Sequence, residues 1–184
     1  MSPTTFTGGA SGRWRVTSIT TLHGDPLPAV DFLQDVHAPH LPAADAAWKL
    51  KGVASYVRYV ERAEKQQLVS RQAGLGRAEA MCAALIPIAK SQVWWDMTQD
   101  KRREIFEGKS KHIAASLKYL PAIARQLYHC RDLGEPFDFL TWFEFACANE
   151  PAFDDLLLGL RAAEEWRYVT REIDIRLKRA AKDC

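Results

Sequence analysis

Six stretches of the chain have either the alternation of hydrophobic and polar residues or the continuous apolar run that is typical of β-strands. The clearest stretch is 166–179, where Val169, Ile173 and Leu177 fall on one face and mostly polar residues fall on the other. The predicted strands span 13–22, 48–60, 80–91, 124–131, 137–146 and 166–179. In the fifth of these, "FDFLTWFEFA", both faces are largely apolar. Something must therefore cover its second face: the first part of the chain, a ligand or another subunit.

Apolar residues spaced three and four apart predict helices in the second part of the chain. A helix over 150–165 has four apolar side chains on one face: Phe153, Leu156, Leu157 and Leu160. Thr98 is the predicted N-cap of a helix over 99–110. A further helix over 111–120 is ended by Pro121, which cannot continue a helical hydrogen-bond pattern.

The two parts of the chain differ in their content of regular elements. Residues 1–12 are rich in Gly, Ser and Thr and are predicted to be a frayed lead-in, and the proline-rich segment 23–45 predicts a long loop or a very short helix. From residue 80 onward the order is β-α-α-β-β-α-β, which predicts a ferredoxin-like α+β unit with an antiparallel sheet and helices on one face. The first part could not bury a core by itself.

Composition and charge exclude several classes of protein. The chain has 184 residues, 47% hydrophobic and 26% charged, which is ordinary for a globular protein. Its net charge of +2 is too small to indicate a nucleic-acid partner or an anionic membrane surface. The start lacks the apolar core of a secretory signal, and the longest apolar run is much shorter than a membrane span.

The cysteines give no metal-binding pattern. The four residues Cys82, Cys130, Cys147 and Cys184 are scattered, without a C-x-x-C pair. A zinc cage or a disulfide framework is therefore not expected, and a reducing cytoplasm fits best.

A candidate ligand-binding residue lies on the predicted helix 111–120. His112 shares a face with Ala115, Ser116 and Tyr119, so two small side chains follow the imidazole by one turn and leave flat space beside it. A planar macrocycle ligated by the ring would need that room. The simpler alternative is a partly exposed histidine on an amphipathic helix.

Two charged residues elsewhere could complete such a site. Arg125 begins a strand beside the one that carries Thr141 and Phe143, and a permanent cation in an apolar pocket suits a small anionic substrate. Glu165 follows another glutamate at a helix-to-strand junction, and metal-bound histidines usually donate their second N–H to a carboxylate or carbonyl. On spacing alone, an ordinary surface arginine is favoured at position 125, and nothing local excludes a helix-terminal surface carboxylate at position 165.

Taken together, "WWDMTQDKRREIFEGKSKHIAASLKYLPAIARQLYHCRDLGEPFDFLTWFEFA" and the segment from Pro151 to Leu177 resemble the short-chain chlorite dismutases. These are haem b enzymes that convert chlorite to chloride and dioxygen. The resemblance covers about residues 48–180, and its most specific part is the spacing of His112 and Arg125 around "YLP". It implies an α+β barrel of tandem ferredoxin-like halves: a truncated N-terminal half over 1–77 and a haem-carrying half over 78–184.

The resemblance also assigns roles to residues. It implies that His112 is the proximal iron ligand, Glu165 its hydrogen-bond partner and Arg125 the distal arginine. The residues expected to contact the haem or line the distal pocket are Trp95, Tyr56, Arg58, Thr141 and Phe143. Tyr56 stands where relatives tend to carry asparagine, and Glu172 stands where the long, pentameric relatives carry a tryptophan. The short first half fits the dimeric branch, so a homodimer is expected.

By the same resemblance, chlorite is split at ferric iron into a ferryl species and a hypochlorite-level fragment, which Arg125 retains until they recombine into dioxygen. Three alternatives stay open. A coproheme decarboxylase would share the proximal histidine but lack an arginine at position 125. A haem-binding sensor or a peroxidase would have only incidental chlorite activity. A ferredoxin-like nucleic-acid module would need the basic and glycine pattern that "FDFLTWFEF" lacks.

Overall fold

A computed structural model describes residues 3–37, 46–55, 74–105, 118–119 and 121–180. Its eight strands form a closed barrel in the order β1-β3-β2-β8-β5-β7-β6-β4, with antiparallel pairing between neighbours. The strands are β1 (Thr4–Gly9), β2 (Trp14–His23), β3 (Phe32–His37), β4 (Trp48–Ala54), β5 (Cys82–Lys90), β6 (Ile123–His129), β7 (Phe139–Phe145) and β8 (Val169–Arg179).

The helices of the described residues all belong to the second part of the chain. They are α1 (Gln92–Asp96), α2 (Gln99–Arg103) and α3 (Glu150–Arg161), with 3₁₀ turns over Arg131–Leu133, Cys147–Asn149 and Glu164–Tyr168. The predicted helix over 99–110 is described only as far as Ile105, and the one over 111–120 lies almost entirely outside the described residues. Among the described residues, no helix is long and apolar enough to cross a membrane.

The barrel interior shows what covers the second face of β7. Leu140 and Trp142 point inward and join Phe6, Trp14 and Leu50 from the first part of the chain in one buried cluster. The indole of Trp142 lies 5.4 Å from that of Trp14 and 5.5 Å from the Phe6 ring, centroid to centroid. Of the three possibilities, the first part of the chain is therefore the cover, and it does so by closing the barrel.

The predictions for residues 1–12 and 23–45 are wrong in part. Residues 4–9 form β1, which pairs with both β3 and β4, and 32–37 form β3 inside the expected loop. The small and polar residues of β1 carry no hydrophobic alternation, and its pairing depends on long-range contacts. Gly8 illustrates this, because a Cβ at that position would overlap the ring of Trp48 on the neighbouring strand.

The prediction that no disulfide forms is also wrong. Cys82 and Cys147 are bonded, with Cα atoms 5.1 Å apart. Cys82 begins β5 opposite Phe145, and Cys147 comes two residues after Phe145, so the antiparallel pairing of β5 with β7 brings the two thiols together. A separation of 65 residues hides this contact in the sequence. The remaining cysteine of the described residues, Cys130, is a buried free thiol.

The outer face of the second-half sheet is covered in part by α3. As its spacing predicts, the helix buries four residues against the sheet: Phe153, Leu156, Leu157 and Leu160. Their partners include Ile123 of β6 and Phe145 of β7. Farther along the same face, Leu127, His129 and Thr141 are half-buried. The outer face therefore has one end sealed by α3 and another end that is less covered.

Candidate active site

Arg125 lies on the outer face of β6, in a row that runs across three strands. Its Cα partner on β7 is Phe143, whose partner on β5 is Ala84. The neighbouring row consists of Leu127, Thr141 and Ile86 in the same strand order. Arg125 is half-buried. The pairing of β6 with β7 thus places Arg125, Thr141 and Phe143 on one face, as the sequence predicted, and the other positions in these two rows are apolar.

The two β7 residues differ in environment. Thr141 is half-buried, whereas Phe143 is 2% exposed and packs its ring 4.9 Å from that of Phe153 in α3. Phe143 therefore packs under α3 at the sealed end of the face, beside Arg125. Thr141 belongs to the less covered part.

A buried ion pair lies on the same outer face, at the end of β5. The Nζ of Lys90 donates to Oε1 of Glu165, and Glu165 is 5% exposed. Glu165 sits in the 3₁₀ turn Glu164–Tyr168, which connects α3 to β8. The turn is fixed beside Lys90 because the backbone N–H of Ser91 donates to the carbonyl of Tyr168 at 2.7 Å.

Burial controls the charge of this lysine. It lowers the pKa of Lys90, and the nearby Glu165 and Asp138 carboxylates only partly offset the effect. The ammonium group also lies 3.6 Å from the centroid of the Trp94 ring, a position in which a cation is attracted by the negative face of the indole. Lys90 is thus held between an aromatic ring and a carboxylate.

Asp138 connects this pair to Trp95. Its Oδ2 accepts from the backbone N–H of Lys90 at 2.6 Å and from the indole N–H of Trp95 at 3.2 Å. The Trp95 ring stacks on Phe139 with centroids 5.8 Å apart, and the guanidinium carbon of Arg131 lies 4.3 Å from the ring. Trp95 therefore shares one side of the sheet with the Lys90–Glu165 pair.

The structure thus places five of the predicted site residues: Arg125, Thr141, Phe143, Trp95 and Glu165. Three others, His112, Tyr56 and Arg58, lie outside the described residues.

Sequence reasoning missed two members of this arrangement. Lys90 ends a strand whose outward positions are otherwise Cys82, Ala84, Ile86 and Ile88. An isolated lysine at the end of an apolar series was the available signal. Asp138 gave no comparable signal, because its partners are distant in sequence.

These residues suit a haem with a histidine ligand. A buried carboxylate held by a lysine can accept the second N–H of an imidazole, since each carboxylate has acceptor capacity beyond the bond that Lys90 uses. The apolar rows provide a low-polarity wall for a macrocycle, and Arg125 provides a permanent charge for an anion. The donor chemistry of this face therefore matches the requirements of a haem site.

Comparisons with known proteins agree with this chemistry. The chlorite dismutase family model matches residues 30–179. A dimeric chlorite dismutase from Nitrobacter winogradskyi is 63% identical, with a TM-score of 0.90 over 96% of this chain and 99% of that one.

More distant relatives differ in length. A chlorite dismutase from Ideonella dechloratans is 29% identical over 80% of this chain, which spans only 50% of that relative. A chlorite dismutase variant from Candidatus Nitrospira defluvii, solved with cyanide, shares the fold at 20% identity, with a TM-score of 0.70 over 97% of this chain and 90% of that one. The family match covers β3 to β8 and therefore all the residues placed in the candidate site. The chain belongs to the chlorite dismutase family.

Proposed function

We propose that this protein is a haem b-dependent chlorite dismutase that converts chlorite to chloride and dioxygen. The observation that carries the proposal is the pairing of β6 with β7, which sets Arg125 among apolar positions on the face that also holds the buried Lys90–Glu165 pair. The 63% identity with a dimeric chlorite dismutase over nearly the full length of both chains supports the same activity.

His112 is the proposed iron ligand, and Glu165 is the proposed acceptor for its second N–H. Bound haem supplies the iron centre at which a chlorine–oxygen bond of chlorite is broken. The Nζ of Lys90 donates to Oε1 of Glu165 and so fixes the carboxylate, whose remaining acceptor capacity would hold the imidazole in one orientation. By the family resemblance, Trp95 would pack at the haem edge, and Tyr56 and Arg58 would hold the propionates.

Arg125 retains the anion on the other side of the pocket. A guanidinium stays charged at any pH at which the protein is folded, and it can donate two parallel hydrogen bonds to two oxygens of an oxyanion. The atoms of chlorite balance to chloride and dioxygen, so no proton is removed from the substrate and no general base is needed. Holding the chlorine-containing fragment until the O–O bond forms is then the main task of Arg125. Thr141 and Phe143 line the pocket, where apolar neighbours limit loss of oxidant to water.

Arg125→Ala and Arg125→Lys test this role, with the exposed Arg15→Ala on β2 as the matched control. Loss of a charge-assisted hydrogen bond costs about 1.5–3 kcal/mol, or roughly 10–100-fold. We expect Arg125→Ala to bind haem normally but to release hypochlorite, trapped with a chlorination probe, and to produce 10–100-fold less dioxygen before bleaching. Arg125→Lys should fall between it and the wild type. An Arg125→Ala protein that equals Arg15→Ala in rate and endurance would remove Arg125 from the mechanism.

The finer architecture is part of the proposal. Around the barrel, the first four strands occur in the order β4-β1-β3-β2 and the last four in the order β8-β5-β7-β6. Both halves therefore follow the same 4-1-3-2 order, which supports tandem ferredoxin-like halves, with the haem in the second.

Assembly and location belong to the proposal as well. We expect a homodimer, as in the relative from Nitrobacter winogradskyi, and sedimentation of the haem-loaded protein would measure it. A cytoplasmic location stays a prediction, and the Cys82–Cys147 bond weighs against a reducing compartment.

A further inference from the structure

Two side-chain contacts fix the 3₁₀ turn that contains Glu165. On one side its carboxylate pairs with Lys90. On the other side the next residue, Trp166, donates its indole N–H to Oε2 of Glu172 on β8 at 2.8 Å. Successive side chains of a 3₁₀ turn project about 120° apart, so Glu165 and Trp166 point in different directions from the same short segment. The Trp166–Glu172 bond therefore resists rotation of the turn that presents Glu165.

Glu172 is well placed to act as such an anchor. It is 0% exposed, lies on the outer face of β8 opposite Ile88, and accepts a hydrogen bond from Nε of Arg161 at 2.7 Å on its other oxygen. A buried charge is costly unless it is paired and hydrogen-bonded. Here Oε1 of Glu172 accepts from Arg161, and Oε2 accepts from Trp166 in the 3₁₀ turn. Trp166 itself is half-buried against the cluster that includes Val169.

We infer that Glu172 and Trp166 are positioning residues that set the orientation of Glu165 and, through it, of the proximal histidine. The inference rests on the proposed function for its catalytic meaning. Its structural part concerns only described residues and does not depend on haem. The inferred effect is exerted through the position of Glu165 in the turn and not through contact with the substrate.

A control is available in the same ion network. Asp174, two residues along β8, accepts from Arg161 at 3.0 Å and from Arg176 at 2.6 Å. It shares the strand, the face and the arginine partner of Glu172, but within the described residues its hydrogen bonds go to Arg161 and Arg176 and not to the 3₁₀ turn. Asp174→Asn should therefore disturb the ion network without releasing Trp166.

The first test uses the protein without haem. Trp166→Phe removes only the indole donor, and Glu172→Gln keeps the size of the acceptor while removing its charge. If Glu165 is released, Lys90 loses the attraction that offsets its burial, while Asp138 and Arg102, which also act on it, stay in place. We expect Lys90, followed by side-chain NMR, to titrate at a lower pH in both variants than in Asp174→Asn. Equal titration in all three proteins would overturn the inference.

The second test uses the haem-loaded protein. Partners of a metal-bound histidine typically change metal affinity or activity 10–100-fold, so a residue one step farther out should change the ferric-to-ferrous ratio at a fixed solution potential by about threefold to tenfold. Tenfold corresponds to 59 mV for a one-electron couple. A less well oriented Glu165 donates less electron density through the histidine, so both variants should favour the ferrous state. A shift no larger than that of Asp174→Asn would contradict the inference, whereas absence of haem uptake by the wild type would contradict the proposed function alone.

Discussion

The two faces of the second-half sheet bury polar groups in different ways. On the inner face, Tyr128 and Cys130 are held neutral, because burial raises the pKa of each to about 12. The buried carboxylate of Glu144 on this face accepts from neutral donors, the indole N–H of Trp142 at 3.0 Å and the backbone N–H of Gly76 at 2.5 Å. On the outer face, Lys90, Glu165 and Glu172 are buried beside charged partners. Neutral groups suit a closed core, whereas buried ion pairs seldom stabilise a fold more than apolar residues of the same size would. The difference agrees with a division in which the inner face stabilises the barrel and the outer face carries the proposed site.

The largest effect on stability is expected inside the barrel. Trp142→Ala removes an indole that contacts Phe6 and Trp14, and large-to-small changes of this kind cost about 3–5 kcal/mol. For a chain of this size that corresponds to a fall in Tm of roughly 10 °C. Thermal unfolding monitored by circular dichroism would measure it, with Trp142→Phe as the milder control. If Trp142→Ala lowered haem affinity at a temperature where it is fully folded, the division between the two faces would be incorrect.

The ion pair on the outer face should separate stability from activity. Lys90→Met alone leaves a buried carboxylate without its lysine and should cost about 3–5 kcal/mol. Lys90→Met combined with Glu165→Leu removes both charges and should recover most of that stability. Dioxygen release from chlorite should not recover, because the proposed histidine partner is gone. Recovery of both properties in the double variant would mean that the pair is only structural.

The disulfide should contribute less than either of these. It closes a loop with a sequence separation of 65, and removing a bond of this kind typically costs about 2–4 kcal/mol. We expect Cys82→Ala with Cys147→Ala to lower Tm while leaving haem uptake unchanged. Reductant should lower the Tm of the wild type but not that of the double variant. Identical Tm values for the oxidised wild type and the variant would show that the bond does not stabilise the fold.

The smallest effect concerns pH and Cys130. Its thiol is 0% exposed, and burial raises its pKa from 9.0 to about 12. Between these values the unfolded chain loses the proton that the folded chain keeps, so the free energy of unfolding falls as pH rises above 9.0, by about 1 kcal/mol at pH 10. Denaturant titrations of wild type and Cys130→Ala should show a smaller alkaline loss in the variant. An equal alkaline loss of stability in both proteins would mean that groups other than Cys130 cause it.

Sequence pattern predicted the regions whose structure depends on local periodicity. The apolar stripe of α3 and the alternation of β8 from Ile173 to Leu177 fold as expected, because burial of one face decides each element. Val169 was predicted on the same face as Ile173 but joins the outer cluster, after an irregularity in the pairing of β8 with β5. β1 was missed because Thr and Gly residues carry no such signal, and the disulfide was missed because strand pairing brings Cys82 to Cys147.

Part of the candidate site could likewise be predicted from local pattern, and part could not. Arg125, Thr141 and Phe143 followed from their positions on adjacent strands. Lys90 and Asp138 are joined to Glu165 and Trp95 by contacts between residues 43 to 75 positions apart, which no local pattern reveals.

The most direct test of the account is to load the purified protein with haem b and add chlorite without an electron donor. We expect a Soret band and one dioxygen released for each chlorite consumed, with both oxygen atoms derived from chlorite when the water is labelled with oxygen-18. A protein that binds no haem, or that binds haem but releases no dioxygen from chlorite, would contradict the assignment of the outer face as a chlorite-converting haem site.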